Sequence, residues 1–121
     1  MQVKIVRGFL LLGVIVTGMF SRSEVMADPT PHKIEITAKR FTFEPSEITV
    51  KKGEPVLLVV RSVDVAHGLR FRELNAEVNV RAGATGQVEF TPDKTGDFVG
   101  HCSVFCGAGH GSMALTLHVV N

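Results

Sequence analysis

Beyond residue 33 apolar residues recur at every second position over most of this chain. Ile34, Ile36 and Ala38 alternate with Lys33, Glu35, Thr37 and Lys39, and Phe41 and Phe43 continue the two-residue rhythm, which predicts one half-buried strand. Glu44-Pro45-Ser46 breaks it, Ile48-Thr49-Val50 resumes, and Lys51-Lys52-Gly53 supplies a turn. The run from Val56 to Val60 has no polar position and is expected to be buried on both faces. Further strands are expected over residues 68–72, 77–80, 86–90, 97–101 and 113–120, with Thr91-Pro92-Asp93 and Thr95-Gly96 as punctuation. Short strands at this spacing, with hardly any helical period, predict an all-β sandwich or small barrel.

The first 27 residues follow a different pattern. Lys4 and Arg7 precede an apolar stretch from Gly8 to Phe20, and Val25-Met26-Ala27 places small residues ahead of Asp28. These are the parts of a secretory signal peptide cleaved after Ala27; the alternative is a short membrane anchor, with membrane association through residues 5–20. Either way the domain is expected outside the cytoplasm, in the periplasm or an equivalent extracytoplasmic space. Asp28-Pro29-Thr30-Pro31 stiffens a linker over residues 28–33, and residues 34–121 form the domain.

The whole chain of 121 residues carries 13 Lys and Arg against 12 Asp and Glu. Without the first 27 residues the balance is ten against eleven. Such a balance, with no basic cluster, gives no footprint for nucleic acid.

Chemistry concentrates in one segment. The only two cysteines, Cys102 and Cys106, are followed by His110 and Met113, and Gly100, Gly107, Gly109 and Gly111 let the backbone fold tightly around them. His67, in the turn after the buried strand, is placed to reach the same pole. Two thiolates, two imidazoles and a thioether favour copper over hard cations. A plain disulfide between the cysteines closes only a short loop and leaves His110 and Met113 unexplained. Zinc held by Cys102, Cys106, His110 and His67 leaves Met113 idle. No nucleophile, acid–base pair or open metal position points to catalysis by this chain.

Val65-Ala66-His67, a gap of 34 residues, and then Cys102-x3-Cys106-x3-His110-x2-Met113 resembles the copper signature of the CuA domain of cytochrome c oxidase subunit II, found also in nitrous oxide reductase. The strand pattern resembles the cupredoxin fold, a Greek-key β-sandwich. The resemblance implies a binuclear centre of two copper ions bridged by the thiolates of Cys102 and Cys106. His67 and His110 then cap one copper each, Met113 binds one weakly and the Val104 carbonyl the other. It implies one-electron transfer between a donor such as a c-type cytochrome and an oxidase or reductase acceptor. Phe98, Phe105 and Ala108 are expected in the apolar shell.

The chain also departs from that family. Val104 stands where many oxidase subunits have a metal-binding Glu, and there is no Trp or Tyr to form an aromatic electron-entry patch. A convincing membrane helix is missing, so the expectation is a free-standing or lightly tethered domain. A mononuclear blue-copper carrier using His67, Cys106, His110 and Met113, and a periplasmic copper carrier or assembly factor, are the competing readings. His101 is expected to point away from Cys102, and His32 and His118 to be exposed strand residues. In metal-free protein under oxidising conditions the two cysteines are expected to form a disulfide.

Overall fold

The structure, a computed structural model, describes residues 30–121 together with Gly13 and Gly18. The signal-peptide or anchor expectation, and the start of the linker, lie outside the described residues. Nine strands are formed among the described residues: β1 His32–Lys39, β2 Thr42–Glu44, β3 Glu47–Lys51, β4 Val56–Ser62, β5 His67–Phe71, β6 Ala76–Val80, β7 Thr85–Phe90, β8 Gly96–His101 and β9 Ala114–Val120. They build a four-stranded sheet in the order β2-β1-β4-β7 and a five-stranded sheet in the order β3-β9-β8-β5-β6. No helix among the described residues is long and apolar enough to cross a membrane.

Alternation along the strands makes the core between the sheets. Ile36 and Ala38 of β1, Val56, Leu58 and Val60 of β4, and Leu115, Leu117 and Val119 of β9 are all buried, while their neighbours face outward or are half-buried. The β4 run is therefore buried on one face, not on both. Leu57 and Val59 are only half-buried, because no further layer among the described residues covers that side of the four-stranded sheet.

The stretch from Ile34 to Phe43 also departs from expectation. It is two antiparallel strands joined by a turn at Arg40-Phe41, with Ala38 opposite Phe43 and Lys39 opposite Thr42. The apolar phase moves from even to odd positions between Ala38 and Phe41, which is what a reversal of the chain does to an alternating pattern.

One parallel and two antiparallel pairings organise one pole of the sandwich. β1 lies parallel to β4, with Ala38 opposite Ser62, so the β1–β2 turn and the loop after β4 emerge side by side. β8 and β9 are antiparallel neighbours whose connection is the Cys102–Met113 segment. β5 runs antiparallel to β8, with Arg70 opposite His101, which brings the first residue of β5, His67, alongside that segment. His67 thus begins a strand instead of lying in the preceding turn.

Candidate metal centre

The donors from the two parts of the chain converge. Cys102 and Cys106 are free, buried thiols with their sulfurs 3.6 Å apart. His67 Nδ1 lies 3.9 Å from the Cys102 sulfur, and His110 Nδ1 3.6 Å from that of Cys106. The Met113 sulfur is 3.7 Å from Cys106 Sγ, and the Val104 carbonyl accepts from the Cys102 thiol at 3.1 Å. All six residues named from the sequence therefore stand around the two sulfurs. The side-chain ligand atoms of His67, Cys102 and Cys106 all lie within 4.8 Å of one another.

The chemistry of this set fits a thiophilic metal. A disulfide needs its sulfurs about 2.0 Å apart, whereas a metal at an ordinary thiolate distance of about 2.3 Å reaches two sulfurs separated by 3.6 Å. Two thiolates, two imidazoles and a thioether are soft-to-borderline donors suited to copper. Met113 and His67 are completely shielded from solvent, and both cysteines are nearly so. Water is thus kept from most of the donor set.

Local sequence explains how the donors are held. The Cys102 N–H donates to the Met113 carbonyl, closing the neck of the loop, and the Met113 and His110 N–H groups donate to the His110 and Gly107 carbonyls in a short 3-10 turn. The loop also packs closely against β5. A Cβ on Gly68 would stand 2.1 Å from the Ser103 hydroxyl, so a larger residue here would require that side chain to move.

His67 is oriented from behind. Its Nε2 lies 2.6 Å from an Asp64 carboxylate oxygen, which directs the Nδ1 lone pair toward Cys102. The same oxygen accepts the Val65 N–H at 2.6 Å, and the other accepts the Arg40 N–H at 2.8 Å. Partial burial raises the Asp64 pKa, but the Arg40, His67 and Val65 hydrogen bonds outweigh it and hold the carboxyl at about 2. The Ser62 hydroxyl bonds the Val65 carbonyl and accepts the Asp64 N–H, fixing the turn.

Burial, followed by the hydrogen bond and charge of Cys102, pushes the Cys106 thiol up to about 11. The Arg40 guanidinium works the other way. Its Nε donates to the Cys106 carbonyl at 3.0 Å. Asp64 and Arg40 are the residues that reading the sequence missed as supports. Asp64 stood three positions before His67 as a readable signal, whereas nothing near Arg40 in sequence points to the loop.

The expected apolar shell needs correction at Phe105 and Ala108. Phe105 is 78% exposed and Ala108 is exposed, while Phe98 is half-buried. The loop turns Phe105 outward over His110, with ring centroids 5.6 Å apart. The apolar support comes instead from the core beneath, which is continuous with Cys102, Cys106 and Met113, and from half-buried Phe41. His101 faces outward, as alternation requires, into an open cleft of about 640 Å³ that also reaches Cys102, His110 and Arg70.

Comparison with known proteins agrees with this fold. The cupredoxin-like domain family matches residues 8–114. Cytochrome c oxidase subunit 2 of Thermus thermophilus is 28% identical over 99 residues, spanning 82% of this chain and 73% of the relative. Nitrous-oxide reductase of Cupriavidus necator is 32% identical over 81 residues, 64% of this chain but only 13% of that enzyme. In fold, the periplasmic domain of subunit II of cytochrome oxidase (CoxB) of Bradyrhizobium japonicum superposes with a TM-score of 0.70 at 20% identity, covering 79% of this chain and 88% of that one. With the family match spanning most of its length and its strands forming the matching sandwich, the chain belongs to the cupredoxin-like family.

Proposed function

We propose that this protein is an electron relay built on a binuclear copper centre, with His67, Cys102, Val104, Cys106, His110 and Met113 as the ligands. The observation that carries the reading is the pairing of donors: each of two adjacent thiols has its own imidazole Nδ1 beside it. Bound copper supplies a one-electron couple. The residues bind it, hold it in place and exclude water. The thiols of Cys102 and Cys106 give up their protons on binding, Met113 and the Val104 carbonyl act as weak outer donors, and Asp64 keeps His67 in the tautomer whose Nδ1 is free.

A mononuclear site using His67, Cys106, His110 and Met113 accounts less well for the arrangement, since His67 stands beside Cys102. The similarity to oxidase subunit 2 and to nitrous-oxide reductase supports a donor such as a c-type cytochrome and an oxidase or reductase as acceptor. Val104 in place of a carboxylate, and the lack of Trp and Tyr, favour a free-standing or lightly tethered domain over an ordinary oxidase subunit. The leader pattern of residues 1–27 supports a periplasmic or equivalent location.

The test is copper stoichiometry with an electron paramagnetic resonance spectrum on the reconstituted protein. Two coppers per chain, with hyperfine splitting shared by both nuclei and lost in Cys102→Ser and Cys106→Ser alike, are expected. One copper with single-nucleus splitting, surviving Cys102→Ser, overturns the proposal.

A further inference from the structure

We infer that Arg40 is a positioning residue for the metal loop, tying the Cys106 end of that loop to the support of His67. The inference rests on the ligand assignment proposed above and adds a residue that lies outside every ligand segment. Arg40 occupies the turn between β1 and β2, which the parallel pairing of β1 with β4 sets beside the loop after β4. Its side chain donates from Nε to the Cys106 carbonyl at 3.0 Å, and its main-chain N–H donates to Asp64 at 2.8 Å. The other oxygen of Asp64 reaches His67 Nε2 at 2.6 Å. A continuous line of contacts therefore runs from the Cys106 backbone to the remote histidine without passing through either sulfur.

Phe41 completes the brace from the same turn. A Cβ on Gly109 would lie 2.5 Å from the Phe41 ring, and one on Gly107 would lie 3.0 Å from it, so the loop backbone rests directly on that ring. Two consecutive residues of the turn thus hold the loop, one by hydrogen bonding and one by packing. Ligands drawn from positions 67 and 102–113 bind together only if both segments keep a fixed separation, and Arg40 touches the supports of both. Its guanidinium also places a fixed positive charge near Cys106, which favours the reduced, more electron-rich centre.

Arg40→Leu and Arg40→Lys, made in the full chain, separate the two contributions. Lys keeps the charge but has a methylene where Arg has its Nε–H. In reduced, metal-free protein, amide hydrogen exchange at His110 and Ser112, whose N–H groups bond the Gly107 and Gly109 carbonyls, is expected to quicken about three- to tenfold in both variants. Exchange at Leu58 and Leu117 in the core is expected to stay as in the parent, which establishes that the variants are folded. In copper-loaded protein the reduction potential is expected to fall further in Arg40→Leu than in Arg40→Lys. Loop exchange unchanged in Arg40→Leu overturns the inference, even if the potential moves, because charge alone then accounts for the effect. The exchange comparison needs no metal, so it decides the role of Arg40 even if the copper count refutes the binuclear centre.

Discussion

Asp64 shows how much of this centre rests on a residue that is not itself a donor. One carboxylate oxygen faces both the Val65 N–H and His67 Nε2, and the other accepts the Arg40 N–H. Asn at this position offers one acceptor oxygen and one amide nitrogen, so it cannot serve both sides as an acceptor. Asp64→Asn is expected to weaken copper binding by about tenfold or more, measured by competition with a chelator of known affinity; binding equal to the parent would mean that His67 is oriented by packing alone. Gly100 tests a different constraint. It is buried in β8, and a Cβ there would stand 2.7 Å from the Phe71 ring and 2.8 Å from Leu69. Gly100→Ala is expected to cost about 1–3 kcal/mol in urea unfolding of the metal-free protein, since both neighbours are themselves fixed in the core.

At the scale of elements, β3, β8 and β9 carry a pH-sensitive strap on their outer face. His118 of β9 faces Asp97 of β8 at 2.6 Å and Glu47 of β3 at 3.6 Å. The Asp97 hydrogen bond, against slight desolvation, raises the His118 pKa above its ordinary 6.5, with the Asp97 and Glu47 charges adding to the rise. A histidine whose folded pKa is raised contributes stability that is fully present below about 6.5 and is lost as pH climbs through the folded value. Stability of the parent is therefore expected to decline from pH 6 to 8 relative to His118→Gln, measured as urea midpoints across that range. Parallel curves would mean that solvent screens the strap completely.

The elements also mark the limit of what the sequence conveys. The strands over 47–51, 76–80 and 114–120 are legible because alternation is local. The β1–β2 reversal is legible only in the phase change between Ala38 and Phe41, which a continuous strand reading passes over. The ligand loop is legible because its donors lie within a dozen residues, whereas Asp64, three positions before His67, leaves a local signal that the reading of the sequence passes over. Arg40 and Phe41 are not legible as supports. They reach the loop only through the parallel pairing of β1 with β4 and the packing of two sheets, and no spacing along the chain encodes either.

For the whole molecule, the site is the upper end of the core and not an addition to it. Cys102, Cys106 and Met113 pack in the same buried cluster as Leu58, Leu69 and Leu117, and every buried side-chain nitrogen or oxygen among the described residues has a hydrogen-bond partner. The donors are thus part of the packed core, and the sandwich is expected to hold them together without metal, unlike small domains that fold only around their ion. Reduced, metal-free protein is expected to give the same far-ultraviolet circular dichroism as the loaded form. Because copper binds the folded donor set in preference to scattered ligands, free copper at about 100 times its dissociation constant should add about 2.7 kcal/mol. For a domain of this size that raises the melting temperature by about 10 to 20 °C. The shift should shrink in Cys106→Ser, which removes the sulfur nearest His110 and Met113. If metal removal instead abolishes the sheet signal, copper is a folding element here and the sandwich does not prebuild the centre. If the spectra agree and the melting shift follows copper concentration logarithmically, the fold has already met the cost of assembling the ligands, and binding reports only their affinity.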